Sequence, residues 1–362
     1  MGKDDSLQIE LIRIFCILTM MWVHVSPGLT FPSYVNGGPM DYVGLFLGQT
    51  MGRISVTTLS FISGYLFWRT GVGRPLGDVA RRLTFAILLP MLVWSVIFLT
   101  LASLKETVTG HGASAMSRIA PGFWGALNAI SGLAGPTANE SLFFIRDLAV
   151  ATLILRISAP LIRRAPLIAI ALALGLLALP ETAPILFRPN ILVFMVLGAL
   201  AAQGGMTIGY LSRPRLALGV GLSLTVLTVV MTRADIVSGQ NLGTLHDLLR
   251  RAGIGFLLLA LTRGLASNSL MMRMAVVGRH GFLAYLSHVT VVGILWTIWQ
   301  HICGTETQPA YLIFYLLTPP FCFALAAWAG SMLDHWPPLA QILLRGKRFA
   351  PNPDNVWHKR SV

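Results

Sequence analysis

Ten apolar runs, near residues 8–28, 42–67, 83–104, 142–162, 166–180, 190–203, 215–231, 252–266, 276–300 and 311–333, follow one another through almost the whole chain. Several reach the roughly 20 residues that an α-helix needs to cross the hydrocarbon core of a bilayer. In lipid the backbone polar groups must be satisfied within each segment, so a chain built this way is driven to helices. Charged residues make up 11% of the chain and hydrophobic residues 55%, whereas a soluble domain is about one-quarter charged. The expectation is an all-α integral membrane protein, a single bundle of about ten transmembrane helices. The runs at 166–180 and 190–203 are the short ones. Pro180, Pro184 and Pro189 between them leave open a single irregular hairpin instead of two spans.

The net charge is +13, and its distribution reads as topology. With the N-terminus on the cytoplasmic side, most of the 27 Lys and Arg residues fall inside. Only Lys105, Arg118, Arg188, Arg233, Arg250 and Arg251 fall outside, while Arg13, Arg53, Arg146 and Arg279 lie within or at the ends of helices. That asymmetry predicts an N-in, C-in arrangement with an even number of spans. Basic residues spread over alternate loops, with no soluble face to gather them, argue against a nucleic-acid partner. The first run has no small-x-small cleavage site and is expected to stay as the first helix.

One membrane domain over 1–344 is expected, followed by a basic cytoplasmic tail, 345–362, resting on the anionic leaflet. The long segment 105–141 is placed outside, and its stretch RIAPGFWGALNAISGL, with Trp124 and Leu127, reads as an interfacial or re-entrant helix or else as a linker. Cys16, Cys303 and Cys322 are scattered, and the histidines lack HExxH spacing, so no metal site is expected. GxSxG is absent, which leaves a Ser-His-Asp hydrolase unsupported.

Polar residues inside the apolar runs carry the functional signal. Arg13 and His24 share the first run, separated by ten residues that are all hydrophobic except Thr19. Eleven helical steps bring them to one face about 16 Å apart along the axis. A snorkelling arginine and a hydrogen-bonding histidine are the bland alternative. The second run ends in LSFISGYLFWRTGVGRPLGDVARRLTF. There Ser60, Ser63 and Gly64 allow close helix approach, and Arg69, Arg74, Arg81 and Arg82 form a turn suited to phosphate or to plain positive-inside charge. Arg146 and Asp147 interrupt the fourth run; about 100° apart, they are expected to pair with other helices and not with each other. Arg279, His280, Tyr285 and His288 open the ninth run and are expected in its cytoplasmic half.

Together these segments resemble the membrane acyltransferase-3 family of bacterial O-acyltransferases. The resemblance rests on Arg13, ten residues, then His24; on RISVTTLSFISGYLF, RRLTFAILLPMLVW and SLFFIRDLAV; and on GRHGFLAYLSHVTVV, in register over about residues 8–300. Thr57-Thr58 departs from the more apolar, Pro-containing sequence of many members. The resemblance implies transfer of an acyl group, most often acetyl and otherwise succinyl or another acyl, from cytoplasmic acyl-coenzyme A to a carbohydrate hydroxyl. Exopolysaccharide, O-antigen, periplasmic glucan or a lipid-linked sugar would be the acceptor, and the bacterial inner membrane the location. His24 and Arg13 are then the candidate catalytic residues, His24 as general base or transient acyl carrier. Donor binding is assigned to Arg13, Arg53, Arg69, Arg74, Arg81 and Arg82, and support of the substrate or the site to Ser63, Tyr65, Arg146, Asp147, Tyr285 and His288. No permanently bound cofactor is expected. A transporter or flippase of a lipid-linked saccharide is the alternative reading, since intramembrane Arg and His suit a transport path as well.

Overall fold

The computed structural model describes residues 3–25, 43–109, 119–179, 182, 184–231, 245–304 and 310–347. Among the described residues there are helices and no strands. In chain order the α-helices are α1 Lys3–Val25, α2 Arg53–Thr70, α3 Leu76–Leu83, α4 Leu89–Thr109, α5 Phe123–Ser131, α6 Phe143–Ile157, α7 Ala159–Arg164 and α8 Pro166–Gly175. They continue with α9 Asn190–Gln203, α10 Ile208–Leu211, α11 Pro214–Met231, α12 Leu245–Leu265, α13 Ser269–Val277, α14 Gly281–Ile302, α15 Tyr311–Leu333 and α16 Pro338–Arg345. A π-helical stretch, Gly44–Gly52, leads into α2.

Among the described residues every apolar run coincides with helix, but four segments are long and apolar enough to cross a membrane: Asp5–Val25, Leu76–Val108, Ser269–Ile302 and Tyr311–Leu333. Pro166–Ala178, Asn190–Gln203 and Pro214–Leu227 are shorter apolar helices. The 105–141 segment begins later than its composition indicates, because α4 runs on to Thr109. Its aromatic stretch is helical as α5, which leaves Trp124 76% and Phe123 73% exposed.

Buried apolar side chains lie all round α1, with Leu11, Ile12, Ile14, Cys16 and Met21 at most 1% exposed. A helix apolar on every side belongs in the interior, and α1 is flanked by α2, α12, α13, α14 and α15. Its register against α13 and α14 is constant. A Cβ added to Gly278 would meet Ile14 Cδ1 at 2.8 Å and one added to Gly281 would meet Ile17 Cδ1 at 2.9 Å, and the rings of His24 and His288 are 5.2 Å apart. Partners that differ by 264 in number at three levels define two parallel helices in contact.

The small-residue seam of the second run is used as expected, against α9. A Cβ on Gly64 would lie 2.1 Å from the Met195 carbonyl oxygen and one on Gly198 would lie 2.0 Å from that of Phe61. The two helices therefore touch backbone to backbone, which only glycine permits. Arg345, the first residue of the expected tail, is buried. It is fixed to Asp334 at 2.5 Å, with further bonds to the Gly330 carbonyl and the Gln341 side chain. Residues 348–362 lie outside the described residues.

Candidate active site

The end of α1 away from the N-terminus is where the polar side chains converge. His24 is half-buried and meets His288, which is fully buried. The Nδ1 of His288 lies 2.6 Å from the Tyr285 carbonyl oxygen one turn earlier on α14. A carbonyl can only accept, so in the neutral ring Nδ1 holds the proton and Nε2 keeps the lone pair. That Nε2 is buried without a hydrogen-bond partner among the described residues. The Tyr285 ring lies 5.8 Å from His288 and 5.9 Å from Phe144, and its hydroxyl donates to the Ser141 carbonyl. Tyr285 thus ties α14 to the start of α6.

His288 lies level with His24. The helix that carries it starts at Ser269, earlier than the apolar run, so position 288 falls past its midpoint.

Arg146 and Asp147 also depart from expectation: they form a direct ion pair at 2.8 Å. The 100° between their Cα–Cβ directions is overridden because both reach for one loop. Arg146 donates to the Ile185 carbonyl at 2.6 Å and to the Pro184 carbonyl, and its guanidinium covers the Phe187 ring at 4.6 Å. Asp147, fully buried, accepts the backbone N–H of Arg188 at 2.8 Å. The pair therefore pins the turn before α9.

That pinned turn presents Arg188, which sequence reasoning assigned only to an outer loop. Arg188 is an exposed residue, and its guanidinium lies 4.3 Å from the Phe143 ring centroid. It is within electrostatic reach of His24, Tyr285, Asp147 and Arg251. Arg53 is close to Arg188, Arg251, Asp247 and Arg250. Arg251 donates to the Arg53 carbonyl at 3.0 Å and pairs with Asp247 at 2.7 Å, while Arg250 pairs with the same carboxylate at 2.6 Å. Arg250 and Arg251 sit within α12, which starts seven residues before its apolar run. The Asp247/Arg251 spacing of four was the signal that could have placed them on one helical face.

The expected donor-binding set is split. Arg53 and Arg69 sit sixteen residues apart on α2, about 24 Å along its axis, so Arg53 belongs to the His24 end. Arg69, Arg81 and Arg82 are exposed, and the Arg74 side chain donates to the Thr70 carbonyl at 3.2 Å. Arg69 lies over the Tyr65 ring, and Tyr65 is also within electrostatic reach of Asp5, so this turn shares an end of the molecule with the start of α1. Tyr65 is buried, its hydroxyl donating to the Met206 carbonyl at 3.0 Å, and Ser63 is half-buried nearby. Arg13 is bound by Glu10 at 2.7 Å, with 40% of its side chain exposed. The cation near it is Lys347, held just past α16 by the Arg345–Asp334 clasp. Neither Glu10 nor Lys347 was singled out from sequence.

The central helix thus carries paired imidazoles at one end and Arg13, with Lys347 near it, toward the other. The chain belongs to the acyltransferase-3 family, whose model, described as an acyltransferase domain, matches residues 6–329. A curated relative, the succinoglycan biosynthesis protein ExoH of Rhizobium meliloti (strain 1021), is 26% identical over 363 residues, covering 96% of this chain and 94% of that protein. No solved structure matches.

Proposed function

We propose that this protein transfers an acyl group, acetyl in the simplest case, from cytoplasmic acyl-coenzyme A to a hydroxyl of a bacterial exopolysaccharide or its lipid-linked precursor. In this reading the chain lies in the inner membrane, with about ten spans and both termini in the cytoplasm. Family membership and the polysaccharide role in the relative's name support the reaction class. The observation that carries the mechanism is the His24–His288 contact, 5.2 Å between rings, with the buried Nε2 of His288 unpartnered among the described residues.

His24 takes the proton of the acceptor hydroxyl as its oxygen attacks the thioester carbonyl. Collapse of the tetrahedral intermediate breaks the C–S bond, and the coenzyme A sulfur leaves with the proton that His24 held. His288 acts by position: its Nδ1–H is spent on the Tyr285 carbonyl, which leaves Nε2 as an acceptor in the ring packed against His24. General-base catalysis contributes about 10²- to 10⁴-fold. Arg13 and Lys347, about 16 Å back along α1, are assigned to the donor's phosphates, an offset comparable to an extended pantetheine arm. The Arg69–Arg82 turn, at the same end, supplements them.

The test is transfer of labelled acetyl from acetyl-coenzyme A to exopolysaccharide fragments by the purified protein. His24→Ala should abolish it, and transfer at the wild-type rate by that variant would remove the mechanism. Mixing donor and enzyme without acceptor, then quenching, separates direct transfer from an acyl-His24 intermediate.

A further inference from the structure

Among the described residues, Arg53, Arg146, Arg188, Arg250 and Arg251 outnumber Asp147 and Asp247, the carboxylates they face at the His24 end. Asp247 is engaged by Arg250 and Arg251, and Asp147 by Arg146 and the Arg188 backbone. The guanidinium of Arg188 makes no hydrogen bond or ion pair among the described residues and lies 4.3 Å from the Phe143 ring centroid. Phe143 is adjacent to Phe144, which touches Tyr285, which touches His288, which touches His24. An exposed, unpaired arginine is thereby held beside the reacting imidazole, on a turn that a buried ion pair immobilises.

Keeping like charges close together is unfavourable, and a guanidinium fork matches a carboxylate in a bidentate way. A transition-state oxyanion alone does not account for the surplus, because that charge is transient while the repulsion is permanent. Resting on the acyltransferase reading, we propose that Arg188, backed by Arg53 and Arg251, forms a subsite for a permanent carboxylate carried by one of the two reactants. That carboxylate belongs either to the far end of a dicarboxylic acyl group or to an acidic sugar of the acceptor. The protein accordingly selects a reactant by charge at the site of transfer.

Two measurements on the full-length, detergent-purified protein decide this. In thermal unfolding, millimolar succinate or glucuronate should stabilise the wild type, whereas neutral succinamide and glucose should not. Arg188→Gln should lose the effect and Arg188→Lys, which keeps the charge, should retain part of it. His24→Ala should still respond, so the subsite is read whether or not acyl transfer occurs. Equal responses to charged and neutral ligands, no response to either, or an Arg188→Gln variant that responds like wild type would overturn the subsite.

In the transfer assay, Arg188→Gln should raise KM by about 10- to 100-fold, the range for losing a hydrogen bond to a charged group, and only for the reactant that bears the carboxylate. A rise for succinyl-coenzyme A but not acetyl-coenzyme A assigns it to the acyl group. A rise for a uronate-containing oligosaccharide but not its neutral counterpart assigns it to the acceptor. An equal fall in kcat for every pair would make Arg188 an oxyanion donor and sink the proposal. If the wild type transfers no acyl group from either donor, the acyltransferase reading fails, while the unfolding experiment still decides the subsite.

Discussion

Gly198→Ala adds one methyl group to α9 at a point 2.0 Å from the Phe61 carbonyl oxygen. Carbon and oxygen come to rest about 3.3 Å apart or more, so α2 and α9 must separate by roughly 1 Å. Neither side can yield by rotating a side chain, since one partner is backbone and the other a methyl fixed to it. Overpacking typically costs about 1–3 kcal/mol, and a contact between two main chains belongs at the top of that range. Alanine's better helix propensity offsets up to about 1 kcal/mol, leaving about 2 kcal/mol of destabilisation. Gly64→Ala strains the same seam from the other side, 2.1 Å from the Met195 carbonyl oxygen. Once one substitution has opened the seam the second has room, so the double variant should lose less than the sum, with a coupling of about 0.5–3 kcal/mol. Reversible unfolding from mixed micelles into a denaturing detergent, followed by tryptophan fluorescence, reads all four proteins. Because α9 starts two residues after Arg188, activity should fall alongside stability. A Gly198→Ala protein as stable as wild type, or strictly additive losses, would refute backbone contact at this seam.

Three further outcomes are expected. His288→Ala should lower kcat by about tenfold or more without abolishing transfer, and His288→Gln should recover part of it; equal activity of His288→Ala and wild type in the acetyl-transfer assay would remove its positioning role. Asp147→Asn should cost about 3 kcal/mol because it leaves Arg146 buried against an uncharged partner, while a leucine pair at both positions should recover most of the loss in the same unfolding titration. Arg13→Ala and Lys347→Ala should each raise KM for acetyl-coenzyme A by about tenfold with kcat little changed, the pattern of lost uniform binding; unchanged KM in steady-state kinetics would dissociate both from the donor.

The helices were legible because burial in lipid forces long apolar runs, and nothing else in the sequence competes with that signal. The pairing of Arg13 with His24 was legible for a similar reason: both positions lie on one helix, where spacing converts directly to geometry. What escaped was long-range. The Arg146–Asp147 pair was misread from local angles, since the loop carbonyls of Pro184 and Ile185 that draw Arg146 back lie 38 and 39 positions away. Arg188 looked like loop charge until the buried carboxylate of Asp147 gave its turn an anchor. Lys347 fell in a stretch read as tail because nothing in its sequence shows that Arg345 would be clasped by Asp334. The helix that carries His288 starts before its apolar run, and a helix start is the feature that such runs mark least sharply.

The constant register between α1 and α14 also sets an order of events during synthesis. His24 emerges 264 residues ahead of His288, and at roughly 5–20 residues per second the ribosome needs about 13 to 53 s to supply the second imidazole. Through that interval α1 must be inserted with its histidine facing provisional neighbours. The first helix made is thus among the last to acquire its full set of contacts. Truncation before α14 should leave a chain whose central helix is exposed to membrane proteases and quality control.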